Sequence, residues 1–189
     1  MPKVETVESA GLTAAEEPEP QRGIALEIVH QSGDWPSIGD VEGLLVPLVD
    51  AVGRHRSVQA HLPAEACLAL ADDASVRKLN ATFRSKDKPT NVLAFPSGLP
   101  INGVRPRQLG DIILGFQTVA AEAAEQDIAI GDHIRHLTLH GLLHLMGYDH
   151  ETGADAAAME ALEIEILAQL GIANPYDEDA APIALGTAQ

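Results

Sequence analysis

Thiol chemistry is almost absent from this chain: Cys67 is the one cysteine among 189 residues. A lone thiol excludes an intrachain disulfide framework and a zinc centre built on cysteines, and it suits a reducing compartment. Long apolar runs are missing too. None approaches the roughly 18 residues of a membrane-spanning helix, and no basic segment leads into an apolar one near the start. Neither a span nor a secretion signal is therefore expected, and the expected location is the cytoplasm. Positive charge is scarce, with 12 Lys and Arg against 28 Asp and Glu and a formal net charge of −16. Most of that acidity is peripheral: residues 1–20 carry −4, residues 151–189 carry −8, and residues 21–150 only −4. Such a balance repels polyanions non-specifically, so a nucleic-acid partner requires a local basic patch. The chain has one.

What is present has the length of one ordinary domain. Residues 1–22 are rich in Pro, Glu and Ala without a sustained period, and are expected to be a disordered acidic leader. IALEIVH (24–30) alternates enough for a first strand, with Ile24, Leu26 and Ile28 facing one way. Apolar residues at three- and four-residue steps predict an amphipathic helix over 38–53, which Pro47 either kinks or restarts. Trp35 is expected to close the core beside it. ACLALAD (66–72) has strand length, with Cys67 as a small buried hydrophobe. Asp72 or Asp73 can cap a helix to about Phe83, with Val76, Leu79, Asn80 and Phe83 along one side. NVLAFP (91–96) and LGDIILGF (109–116) are further strands, the second central in its sheet, joined by the Gly/Pro-rich loop 97–108. Three helices complete the pattern: one over 118–126, one capped near Asp132 with Ile134, Leu137 and Leu145 toward the core, and one over 154–170. Gly171 stops the last helix, and residues 172–189 are expected to be a flexible tail. The fold class is α/β, a single layered domain over 23–171 with some four strands and helices packed against the sheet.

The chemistry concentrates in HGLLHLMGYDH, residues 140–150. His140 and His144 are four apart, so on a helix both imidazoles stand on one face and reach a single ion. Gly147 ends the apolar run as a helix C-terminal glycine does, and lets the chain turn back so that His150 supplies a third nitrogen. Three of the chain's eight histidines within eleven residues argue against scattered surface histidines. Three neutral imidazoles with one position open describe a catalytic Zn²⁺ site, in which the open position takes an activated water. Asp149 or a carboxylate elsewhere in the chain is the candidate fourth ligand if the site is instead closed and structural. The spacing matches the long zinc-peptidase pattern HExxHxxGxxH except that Gly141 replaces the glutamate that acts there as base. Proteolysis is accordingly demoted.

Three other stretches bear on the reaction. Residues 77–96 hold Arg77, Lys78, Arg84, Lys86 and Lys88 against Asp87. Phosphate is the natural counterpart of such a cluster, and Arg can grip it through two parallel hydrogen bonds. The bland reading is a charged, solvated loop in which Arg84 pairs with a surface acid. Asp111 interrupts an apolar strand after Gly110, which permits close approach of another segment. Its carboxylate can support a metal-bound imidazole or make a backbone contact. His136 stands one turn before His140, either supporting it, carrying protons, or lying at the surface.

Residues 140–150, with LNATFRSKDKPTNVLAFP (79–96) and LGDIILG (109–115) upstream in the same order, resemble the YbeY family of bacterial endoribonucleases and rRNA maturation factors. The resemblance runs over roughly residues 24–170. It implies an α/β fold with a mixed sheet, and one zinc ion held by three histidines that fall on His140, His144 and His150. The family arginine associated with RNA cleavage falls on Arg84, with Arg77, Lys78, Lys86 and Lys88 around it as RNA backbone contacts. The implied activity is cleavage of single-stranded RNA in 16S rRNA 3′-end maturation and ribosome quality control, with the small ribosomal subunit or its assembly factors as partners. Two alternatives are a metal-dependent hydrolase of another substrate and a ribosome-assembly protein whose zinc is mainly structural.

Overall fold

Alternating and β-branched stretches form four strands in the computed structural model, which describes residues 23–98 and 106–177: β1 (Ile24–His30), β2 (Ala64–Ala71), β3 (Val92–Pro96) and β4 (Arg107–Gly115). The leader, residues 99–105 of the long loop and residues 178–189 lie outside the described residues. The strand order is β1-β2-β4-β3. β1 and β2 run parallel, β2 and β4 run parallel, and β3 is antiparallel to β4. The sheet is thus mixed, and β4 is internal as expected. Gly110 has φ +129°, and a Cβ there would meet the Phe95 carbonyl oxygen of β3, so only glycine lets the two backbones approach.

Among the described residues four α-helices pack against the sheet, α1 (Val41–Arg54), α2 (Asp73–Arg84), α3 (Phe116–Glu125) and α4 (Ile130–Leu145), and a fifth, α5 (Gly153–Gln169), packs on α1 and α4. Side chains alternate along β4. Ile112 and Leu114 join the large core containing residues of α1, α4 and α5, while Ile113 belongs to a smaller cluster with Val76 of α2. α4 is the central helix. Every residue from His133 to Leu145 except Arg135 is buried, as befits a helix packed on several sides. Trp35 closes the core as expected, 1 % exposed, donating its indole N–H to the Ala71 carbonyl at 3.1 Å.

Several local expectations shift. α1 runs unbroken through Pro47 because that residue lies on the solvent face, where water can serve the carbonyl it leaves unpaired. Its start is Asp40, whose side chain accepts from the Gly43 amide at 2.9 Å. α4 begins earlier than its acid: Ala129 is the capping position, and Asp132 lies within the first turn, paired with Arg135 at 2.9 Å. Cys67 is half-buried rather than buried. Phe83, expected on the packed side of α2, is exposed, whereas Val76 and Asn80 of that side are buried. The segment after Gly171 does not start as a loose tail. Ile172 packs against the main core, and Tyr176 reaches a buried acid of α5.

Candidate metal centre

The end of α4 builds the site. Met146 closes the helix and Gly147 takes a left-handed φ of +93°. The Gly147 amide donates to the His144 carbonyl and the Tyr148 amide to the Leu143 carbonyl, both at 3.0 Å. These are the paired hydrogen bonds of a Schellman turn. The turn carries Tyr148 back over the last helical turn, so that the Nδ1–H of His144 donates to the Tyr148 carbonyl at 3.1 Å. It then delivers His150, whose own amide donates to the Asp149 side chain at 2.7 Å. Asp149, the candidate fourth ligand, is thereby used locally.

One nitrogen from each of His140, His144 and His150 lies within 4.8 Å of the other two. Among the described residues this is the group that can hold a metal ion, and it contains no carboxylate. The proton positions favour a cation. His140 gives its Nδ1–H to Glu163 at 2.9 Å and His144 gives its Nδ1–H to a carbonyl, so in the neutral rings both Nε2 atoms carry lone pairs. Those two atoms face each other at 3.0 Å. The Nε2 of His150, buried beside them, has no hydrogen-bond partner. Two facing lone pairs repel one another unless a proton or a metal ion lies between them, and the third nitrogen stands beside them without a partner. Burial, then the neighbouring His140 and His150, push His144 down to about 4, so it is neutral and available as a ligand at neutral pH.

Behind the ligands stands Glu163 of α5, fully buried. Its two oxygens accept from His140 Nδ1 and His136 Nε2, each at 2.9 Å, and Tyr176 donates its hydroxyl to the same carboxylate. Burial alone would raise its pKa, but the hydrogen bonds from His136 and His140 outweigh that and hold it down to about 2. Burial, then the Glu163 charge, raise the Tyr176 phenol, which keeps its proton and donates it. A carboxylate on the far nitrogen of a ligating histidine fixes its tautomer and raises its basicity. His136 is therefore no surface histidine; it is buried and joined to His140 through Glu163. Sequence reasoning missed Glu163 and Tyr176. The one available signal was an acid within the apolar stripe of Met159, Leu162, Ile166 and Leu167.

Asp111 does not serve the histidines. It shares its sheet face with Ile113, beside Cys67 and Glu27, whereas α4 packs on the Ile112 face. Burial first, then the charges of Asp111 and Glu27, raise the Cys67 thiol. Gly141 faces that inner side as well: a Cβ there would lie 2.8 Å from Ile112 Cγ2. The position of the peptidase glutamate is thus filled by helix-on-sheet packing.

Arg84 is the last residue of α2, which stops because Ser85 turns left-handed at φ 55°. Asn80 anchors the following loop, accepting the Lys86 amide at 3.2 Å and donating to the Lys88 carbonyl at 2.7 Å. Arg84 and His144 line one open cleft of about 460 Å³, with Phe83, Phe95 and Tyr148. Arg84 is half-buried, and burial lowers its pKa. Asp87 is held by Arg77, through two bonds of 2.7 and 2.8 Å. Lys78, Lys86 and Lys88 are exposed, and neither they nor Arg77 line the cleft.

The chain is similar to known proteins over most of its length. The family profile described as "Endoribonuclease YbeY" matches residues 37–171. An endoribonuclease YbeY of Parvibaculum lavamentivorans is 43 % identical over 168 residues, covering 83 % of this chain and 87 % of its own. One from Chelativorans is 46 % identical over 148 residues, covering 77 % and 88 %. One from Sinorhizobium fredii is 40 % identical over 159 residues, covering 81 % and 92 %.

Proposed function

The chain belongs to the YbeY endoribonuclease family, and from that premise we propose that it is a zinc-dependent endoribonuclease that cuts single-stranded regions of the 16S rRNA precursor. Its place is 3′-end maturation and ribosome quality control in the cytoplasm, on the small subunit or with its assembly factors. The observation that carries the reading is one cleft lined both by Arg84 and by His144 of the three-histidine group. His140, His144 and His150 would hold the ion, and three imidazoles without a carboxylate suit zinc with a position left open. Such an ion supplies a Lewis acid and a water of lowered pKa.

The chain's own residues do the rest. Arg84 presents two parallel donors to the scissile phosphate and offsets charge that develops on its oxygens. Glu163 keeps His140 in the tautomer whose Nε2 faces that of His144 and would be free to bind an ion; with three donors on it and no exposure, it is no general base. Lys86 and Lys88 attract the RNA backbone from outside the cleft. The same groups serve attack by water or by the RNA 2′-hydroxyl, and the products separate the two: a 2′,3′-cyclic phosphate requires internal attack.

The test is cleavage of an rRNA 3′-end fragment by purified protein, with end groups analysed and zinc measured by elemental analysis. Chelator is expected to abolish cutting and added zinc to restore it. His144→Ala is expected to lose both zinc and activity, since two imidazoles do not retain the ion. Full zinc content in that variant, or cleavage indifferent to chelator, would overturn the reading.

A further inference from the structure

Aromatic residues are few here, three Phe, two Tyr and one Trp, yet Phe83, Phe95 and Tyr148 all line the cleft of Arg84 and His144. The other three have evident duties. Trp35 and Phe116 pack edge to face at 5.4 Å, and Tyr176 serves Glu163. Tyr148 is also accounted for, packing against the core and donating its hydroxyl to the Ser57 carbonyl at 3.1 Å. Phe83 is different. It is 65 % exposed, while Val76 and Asn80 of the same helix are buried. Leaving most of a phenylalanine in water forgoes the gain of burying it, which core packing does not explain.

The ring is nevertheless held. Its centroid lies 5.1 Å from that of Phe95 at an interplanar angle of 64°, and Phe95 is fixed in β3 opposite Asp111 of β4. The helix stop at Ser85 holds Phe83 and Arg84 together at one rim of the cleft. A steadied, solvent-facing aromatic ring beside a phosphate-binding arginine is the arrangement that receives a base and its phosphate from one strand. Stacking on such a ring is tolerant of sequence, because every base has a π face. It also requires the base to be out of a duplex.

We propose that Phe83 is a stacking platform for an unpaired nucleobase of the RNA substrate, adjacent to the phosphate gripped by Arg84, and that it sets the preference for single strands. This rests on the endoribonuclease reading of the same site. Phe83 is a positioning residue and takes no part in bond making. Phe83→Leu keeps apolar bulk and removes the π face, whereas Phe83→Trp keeps it.

The experiment compares wild type, Phe83→Leu and Phe83→Trp on single-stranded oligonucleotides of an rRNA 3′ end, intact or with one abasic residue placed in turn along the strand. Phe83→Leu is expected to raise KM roughly 10-fold, the size of one base–aromatic stack, with kcat and zinc content nearly unchanged and Phe83→Trp close to wild type. One abasic position is expected to cost wild type a similar factor and Phe83→Leu nothing further. Equal abasic penalties in both proteins, or a Phe83→Leu protein with the wild-type KM, overturn the proposal. So does a Phe83→Leu protein that loses only association with a ribosomal protein. Binding of the same strands, followed by the fluorescence of 2-aminopurine at the sensitive position, separates the two readings. Ring-dependent binding without any cleavage would support the platform and sink the endoribonuclease reading; cleavage with binding indifferent to the ring would do the reverse.

Discussion

Glu163 is a single buried carboxylate holding three donors, and its replacement has a definite expected outcome. Glu163→Gln keeps the shape but removes the charge and points an amide N–H₂ at imidazole donors. Zinc affinity is expected to fall by roughly 10–100-fold, the usual cost of losing such a partner. Competition with a chromophoric chelator measures it, and an unchanged affinity would show that His140 needs no partner behind it. Arg84 carries a different expectation. Arg84→Ala should retain zinc and fold yet cleave about 10²–10³-fold more slowly, with Arg84→Lys recovering only part, because Lys offers a point charge and no paired donors. Lys86→Ala and Lys88→Ala should mainly weaken RNA binding and flatten its salt dependence, each by about one phosphate contact. Single-turnover cleavage at saturating enzyme is the deciding measurement: a wild-type rate in Arg84→Ala removes Arg84 from the active site.

At the scale of elements, the histidines are held by the seat of α4 on β4. Gly141 makes that seat close, since a Cβ would stand 2.8 Å from Ile112 Cγ2 and 3.0 Å from its Cδ1. Two effects oppose each other in Gly141→Ala. Helix propensity favours alanine by about 1 kcal/mol, while overpacking a full core costs about 1–3 kcal/mol. Ile112 is itself fully buried and has little room to yield, so net destabilisation is expected, read as a lower denaturant midpoint at unchanged slope. Stabilisation would mean that the interface relaxes freely. Gly141→Glu, which restores the peptidase spacing, is expected to yield misfolded protein rather than a protease.

For the molecule as a whole, the boundary of the folded unit matters. The segment after Gly171 contributes Ile172 to the core and Tyr176 to Glu163. A chain ending at Asp177 is expected to keep the full thermal midpoint. One ending at Gly171 loses a hydrogen bond to a buried charge, worth about 1.5–3 kcal/mol, and should melt roughly 3–10 °C lower. Equal midpoints would return residues 172–177 to the tail. Removing residues 1–22 is expected to leave zinc content and cleavage in place, as the three histidines and Arg84 all lie within the region matched by the family profile.

The sequence by itself determined what depends on near neighbours. The periods of the helices, the capping acid Asp72, the turn at Gly147, and the convergence of His140, His144 and His150 follow from spacings of at most ten residues and a rigid helical repeat. The close approach that Gly110 permits was legible for the same reason, because a missing side chain in a strand implies a neighbour's backbone. Tertiary structure alone decided the rest. Alternation along β4 separates Asp111 from Ile112 but does not say which layer of helices covers which face, and α4 lies on the face that Asp111 does not share. Phe83 fits the apolar period of α2, yet it stands in the last turn of the helix against Phe95 of the edge strand β3, so most of the ring remains in water. Glu163 lies 23 residues from His140 and Tyr176 a further 13 along the chain. Their meeting is set by how α5 and the following segment dock on α4, and that depends on the shape of a core to which distant parts of the chain contribute together.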